Sequence, residues 1–234
     1  MAEGEIAEWP SPSFGERRGG RRPELIVIHH TAMATAEAAL ARLADPAAEV
    51  SAHYVVAEDG RVWRMVAEAA RAWHAGAGSW RGEADVNSRS IGIELANPGP
   101  LAGFPPFPEP QMAALEALLD GIRERWAIPA AGVIAHSDMA PGRKADPGGK
   151  LDWRRLALGG RAVWPEPTEH GGGREGFREA AAAAGYAAPG GDWEAVLAAF
   201  RLRFRPWARG PLEPFDVGTM RGLAALTAGA GATS

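Results

Sequence analysis

Leu25-Ile26-Val27-Ile28-His29-His30-Thr31 is the stretch from which the fold can be worked out. Four apolar residues in a row, three of them β-branched, suit a strand buried on both faces, as the strands of a parallel sheet are. The run then stops at two imidazoles. Gly132-Val133-Ile134-Ala135-His136 repeats the pattern on a shorter scale, again ending in a histidine. Ligands of open α/β sheets gather at the carboxyl ends of strands, so a parallel arrangement of these two brings both imidazoles into one cleft.

The segments around these two strands fit the same layered scheme. Residues 36–43 are expected to be helical, with Thr35 as the N-cap. Residues 51–56 and 61–66 predict a hairpin turning at Asp59-Gly60, and Ser90 to Leu95 predicts another strand. Met112, Leu115, Leu118, Leu119, Ile122 and Trp126 fall on one face of a helix, with Pro110 near its start and Pro129 beyond its end. Met139 to Gly149 is rich in Pro and Gly and predicts a loop. Residues 1–23 form a polar lead-in.

Together these elements predict an α/β domain, with a sheet flanked by helices, over residues 1–165. Residues 166–173 suit a linker. Beyond it, Trp193, Val196, Leu197, Phe200 and Phe204 make a helical apolar stripe, with flanking helices expected over 174–184 and 219–226. A small all-α domain is therefore expected over 174–230.

Composition narrows the chemistry. The chain carries 25 basic and 29 acidic residues, a net charge of −4, which argues against nucleic acid as a partner. Cysteine is absent, which excludes disulfides, thiolate nucleophiles, Cys-based zinc sites and an acylated Cys anchor. Met1 to Phe14 holds no apolar run of signal-peptide length, and no segment approaches the roughly 20 apolar residues of a membrane span. No membrane partner and a cytoplasmic location are expected, with an exported form left open.

Asp146 lies ten residues after His136, on a loop where Pro141, Gly142, Pro147 and Gly148 enforce sharp turns. His29, His136 and Asp146 would make a three-ligand zinc set that leaves the fourth tetrahedral position to water. Spacing alone favours a plainer reading, in which strand-end histidines are hydrogen-bonded structural residues and Asp-Pro-Gly is only a turn. The same donors also suit other divalent ions.

The thirteen residues from His136 to Gly148, HSDMAPGRKADPG, closely resemble the H-S-D-x-A-P-G-R-K-x-D-P-G signature of the AmpD/AmiD-type amidases. Ile26-Val27-Ile28-His29, Ala72-Trp73-His74-Ala75-Gly76 and Ser90-Ile91-Gly92-Ile93-Glu94-Leu95-Ala96-Asn97 match further family segments in order. The resemblance covers about residues 10 to 160. It implies the amidase_2, peptidoglycan-recognition-protein-like fold: a mixed central β-sheet flanked by helices. It also implies Zn2+ held by His29, His136 and Asp146, Glu94 as general base, and Lys144 beside the reacting carbonyl. The implied reaction is hydrolysis of the amide between N-acetylmuramic acid and L-alanine in peptidoglycan fragments, including 1,6-anhydro muropeptides. Ala52 departs from the bacteriophage lysozyme-type relatives, which hold a tyrosine there, and this points to Glu94 as the group that serves the water.

Other residues have expected places around this site. Strand alternation sends His30 to the opposite face from His29, and His53 is expected to pack behind the site. Arg143 suits a stem-peptide carboxylate, Trp73 and Trp80 offer flat apolar faces to a sugar, and His74 and Asn97 are expected at the substrate groove. Ala199-Phe200-Arg201-Leu202-Arg203-Phe204-Arg205-Pro206 resembles part of a small helical peptidoglycan-binding domain. The competing function is a non-catalytic peptidoglycan receptor of the same fold. Such receptors often lack a zinc ligand, whereas all three are present here.

Overall fold

Residues 25–30 form an interior strand of the central sheet in the computed structural model, which describes residues 6–228. In chain order the strands are β1 (Ile6–Glu8), β2 (Phe14–Gly15), β3 (Leu25–His30), β4 (Tyr54–Val56), β5 (Val62–Arg64), β6 (Arg71–Ala72), β7 (Ser90–Leu95) and β8 (Val133–Ala135). The helices are α1 (Ala36–Ala44), α2 (Val86–Arg89), α3 (Glu109–Trp126), α4 (His136–Met139), α5 (Trp153–Leu158), α6 (Gly173–Ala184), α7 (Trp193–Phe204) and α8 (Pro214–Ala228). Six strands make one mixed sheet in the order β1-β5-β4-β7-β3-β8, and β2 pairs with β6 outside it. The β4–β5 hairpin supplies the antiparallel step, turning at Asp59-Gly60, while β4, β7, β3 and β8 run parallel. No helix among the described residues is long and apolar enough to cross a membrane.

Alternation along the strands divides the core between the two faces of the sheet. Ile26 and Ile28 of β3, Ile91, Ile93 and Leu95 of β7, and Val133 and Ala135 of β8 share one face, covered by the predicted apolar stripe of α3. Leu25, Val27 and Ile134 point the other way, into a core made with Phe177, Ala181, Val196, Leu197 and Phe200 of α6 and α7. Further along that second face, α1 covers Val55 and Trp63 with Leu40 and Leu43. Thr35 caps α1 as expected, accepting the Ala38 N–H at 3.1 Å. Beside α1, the carboxyl ends of β7, β3 and β8 open onto a cavity.

The N-terminal segment is more than a lead-in. Residues 6–8 extend the sheet edge parallel to β5. Arg17, buried, donates to the carbonyls of Glu68, Asn87, Ser88 and Ser90 at 2.7–3.2 Å. These links are long-range and carry no local periodicity, so the sequence does not announce them.

His53 is fully buried beside this arginine. Its Nδ1 accepts the Gly92 N–H at 2.9 Å, so Nε2 carries the proton and donates to the Ala70 carbonyl at 3.2 Å. Burial, reinforced by the Arg17 cation, pushes this imidazole down to about 3. A depressed histidine stabilises the fold fully above its unfolded value near 6.5, and that stability is lost as pH falls toward 3. Urea unfolding at pH 7 and pH 4 should show that His53→Asn removes a pH-dependent component of about 3 kcal/mol. Equal acid sensitivity in both proteins would contradict this.

Candidate metal centre and cavity

Three neighbouring strands deliver the candidate groups. In the parallel register His29 lies beside Glu94, and Ile28 beside Ala135, so His136, the first residue of α4, follows directly next to His29. Asp146 returns on the Pro- and Gly-rich loop, pinned where the Ser137 N–H donates to its backbone carbonyl at 3.0 Å. The two strand-end imidazoles therefore enter one cleft, and the loop carries the carboxylate back to them.

The donor atoms meet in a near-equilateral triangle. His29 Nδ1 lies 2.9 Å from His136 Nδ1 and 3.0 Å from Asp146 Oδ2, and His136 Nδ1 lies 2.9 Å from Asp146 Oδ2. A tetrahedral ion with bonds of about 2.0–2.1 Å has edges of about 3.3 Å, so the triangle is slightly tighter than a metal face. Protons alone do not satisfy these contacts. If both imidazoles donate to Asp146, their two N–H groups face each other, whereas a cation suits all three lone pairs at once. His136 Nε2 donates to the Ala75 carbonyl at 2.9 Å, which leaves its Nδ1 as the free lone pair. Burial, and next the proximity of His136, push His29 down to about 4, so the His29 ring is neutral near pH 7. His29, His136 and Asp146 are the one such donor cluster found among the described residues.

Around the triangle lies a cavity of about 390 Å³, whose wall includes Trp73, His74, Glu94, Arg143 and Lys144. Glu94 Oε2 is buried there without a hydrogen-bond partner. Burial, with Asp146 adding to it and Lys144 opposing, pushes the Glu94 carboxyl up to about 8. A buried carboxylate without a partner is costly unless a ligand, water or cation completes it. Three converging donors could hold a metal ion, and an acidic group placed beside them could pass a proton between a water and a leaving group once ionised.

The expected substrate contacts are placed unevenly. Arg143 and Trp73 reach the wall, and Arg143 also donates to the Ala75 carbonyl at 2.6 Å. His74 lines the cavity with both ring nitrogens already engaged, by His29 at 3.0 Å and Ser90 at 3.1 Å. Asn97 is not brought to the wall. Its amide holds the following loop, donating to the Pro105 carbonyl at 3.1 Å and accepting the Gly99 N–H at 2.8 Å. Trp80 is buried against Tyr186 rather than offered to a sugar, because the tail helices cover that part of the sheet. His30, at the strand end, also borders the cavity and packs against Phe104.

One group of supporting residues went unnoticed in the sequence. Asp138, fully buried in α4, accepts from the Ala135 N–H at 2.9 Å, from Arg203 of α7 at 2.7 Å and from the Tyr186 hydroxyl at 2.6 Å. Arg203 also reaches the Val133 carbonyl at 3.2 Å and stacks over Trp153 at 4.0 Å. The tail thus grips the strand and helix that present His136.

Comparison with known proteins identifies the family. Residues 19–149 match the family model described as N-acetylmuramoyl-L-alanine amidase. The chain belongs to that family. It is 41% identical over 157 residues to the N-acetylmuramoyl-L-alanine amidase AmiD of Escherichia coli, covering 62% of this chain and 56% of the relative. It is also 33% identical over 176 residues to the 1,6-anhydro-N-acetylmuramyl-L-alanine amidase AmpD of Citrobacter freundii, covering 67% of this chain and 92% of the relative. The solved complex of E. coli AmiD with anhydro-N-acetylmuramic acid-L-Ala-D-gamma-Glu-L-Lys superimposes with a TM-score of 0.80 at 31% identity, covering 92% of this chain and 98% of that one.

Proposed function

We propose that this protein hydrolyses the amide between N-acetylmuramic acid and L-alanine in peptidoglycan fragments, with Zn2+ held by His29, His136 and Asp146. The observation that carries this reading is the 2.9–3.0 Å convergence of those donors beside the unpartnered Glu94 carboxylate. When bound, zinc supplies Lewis acidity and brings the pKa of a water down to about 7. Glu94 takes the proton of the attacking water and passes it to the amide nitrogen as the C–N bond breaks. The lactyl carboxylate and the free α-amine of L-alanine leave as products. Lys144, on the cavity wall, offers its ammonium to the carbonyl oxygen as that atom gains charge. Arg143 holds a carboxylate of the stem peptide, and Trp73 offers an apolar face to the sugar.

The ligand in the AmiD complex and the name of the AmpD relative favour 1,6-anhydro muropeptides as substrates, in cell-wall turnover or recycling. Residues 174–230 are proposed as a peptidoglycan-binding-like unit that adds contacts to larger fragments.

Metal-free and zinc-loaded protein given a purified anhydro-muropeptide tests this directly. Mass spectrometry should find anhydro-N-acetylmuramic acid and free peptide, together one water heavier than the substrate. Chelation should abolish turnover, and added zinc should restore it. Turnover that persists after complete metal removal rules the proposal out.

A further inference from the structure

We infer that His74 is a positioning residue that fixes the tautomer of His29 through a one-way hydrogen-bond chain ending at the Val86 carbonyl. The inference rests on the metal-site reading above, and concerns how that site is prepared before any ion arrives.

The chain can be followed from its far end. A backbone carbonyl only accepts, so the 2.6 Å contact between Ser90 Oγ and Val86 O takes the single hydroxyl proton of Ser90. Ser90 Oγ therefore accepts from His74 Nε2 at 3.1 Å, which places the His74 proton on that nitrogen. His74 Nδ1 is left as an acceptor, and its partner at 3.0 Å is His29 Nε2. That contact requires His29 to carry its proton on Nε2. Its Nδ1 is then a bare lone pair, aimed at His136 Nδ1 and Asp146 Oδ2.

The opposite tautomer would put a proton into the centre of the donor triangle. Histidine ligands usually orient their second nitrogen with a carbonyl or carboxylate, as His136 does with Ala75. An imidazole in that place is direction-neutral by itself, because either of its nitrogens can donate. The direction comes from Ser90 and Val86, on the strand and helix beneath.

Local architecture supports this assignment. A Cβ at position 92 would collide with the His74 ring, so only glycine in the middle of β7 lets the ring lie against the strand. The His29 and His74 rings meet edge to face at a centroid distance of 5.1 Å. His74 itself lies outside the donor triangle.

Nitrogen-15 NMR of the metal-free protein, read together with zinc affinity by chelator competition, tests the chain. The wild type should show His29 as a single Nε2–H tautomer. His74→Leu and Ser90→Ala should each show a mixed His29 population. His74→Leu should bind zinc about 10–100-fold more weakly. His74→Gln, whose amide can accept and donate in the same sense, should recover most of that loss. A wild-type His29 tautomer and unchanged zinc affinity in a folded His74→Leu protein overturn the inference. Should that variant not fold, an unmixed tautomer in Ser90→Ala overturns it instead. Failure of the wild type to bind zinc would strike the proposed function, whereas the metal-free tautomers decide the chain by themselves.

Discussion

Glu94→Gln should cut turnover of an anhydro-muropeptide by about 10²–10⁴-fold, the usual weight of a general base, while zinc content stays unchanged. The amide keeps the shape of the side chain but cannot take the proton of a water. The fold should not suffer. In the metal-free protein burial raises this carboxyl from 4.5 to about 8, so the folded state holds it neutral while the unfolded chain ionises it. A raised carboxyl stabilises fully below pH 4.5 and loses that contribution as pH climbs through about 8. Metal-free Glu94→Gln should therefore melt no lower than wild type, and its advantage should grow across that window. Near-normal turnover with Gln at position 94 would move the proton-transfer role elsewhere. Normal biological activity without turnover would favour the receptor reading.

The second large effect concerns the tail. Arg203→Met leaves Asp138 buried with its charge uncompensated, and breaking a pair of this kind costs about 3–5 kcal/mol. For a chain of this size each kcal/mol moves the melting temperature by about 2–4 °C, so a fall of roughly 6–20 °C is expected by calorimetry. Combining Arg203→Met with Asp138→Asn removes both charges and should recover part of the loss. A single variant that melts with the wild type would show that the pair contributes nothing. The same contacts predict that the melting shift is accompanied by weaker metal binding, because Asp138 caps the turn that presents His136.

Much of this arrangement was legible in the sequence, for definite physical reasons. Unbroken apolar runs ending in His29 and His136 suited strands buried on both faces, and the Pro- and Gly-rich stretch before Asp146 suited a loop able to carry the carboxylate back. The stripes of α3 and α7 were equally plain. What escaped notice depends on contacts between residues far apart in the chain. Arg203 sits among alternating Arg and apolar residues, where a cation reads as solvated. Its partner Asp138 lies 65 residues away. Trp80 looked available until the tail helices covered it, and Asn97 looked like a contact until its amide was found holding its own loop. Arg17 sits in a stretch with no periodicity, yet it ties four carbonyls together.

The parallel register of β7, β3 and β8 has one more consequence. His29 and Glu94 hang from adjacent strands flanked by sheet on both sides, whose amides open only when the whole molecule does. Asp146 hangs from a loop outside the sheet, held at its backbone by the Ser137 N–H. His29 therefore shares the protection of the sheet interior, whereas Asp146 depends on the contacts of its own loop. Hydrogen exchange should accordingly be slower at the amide of His29 than at the amide of Asp146.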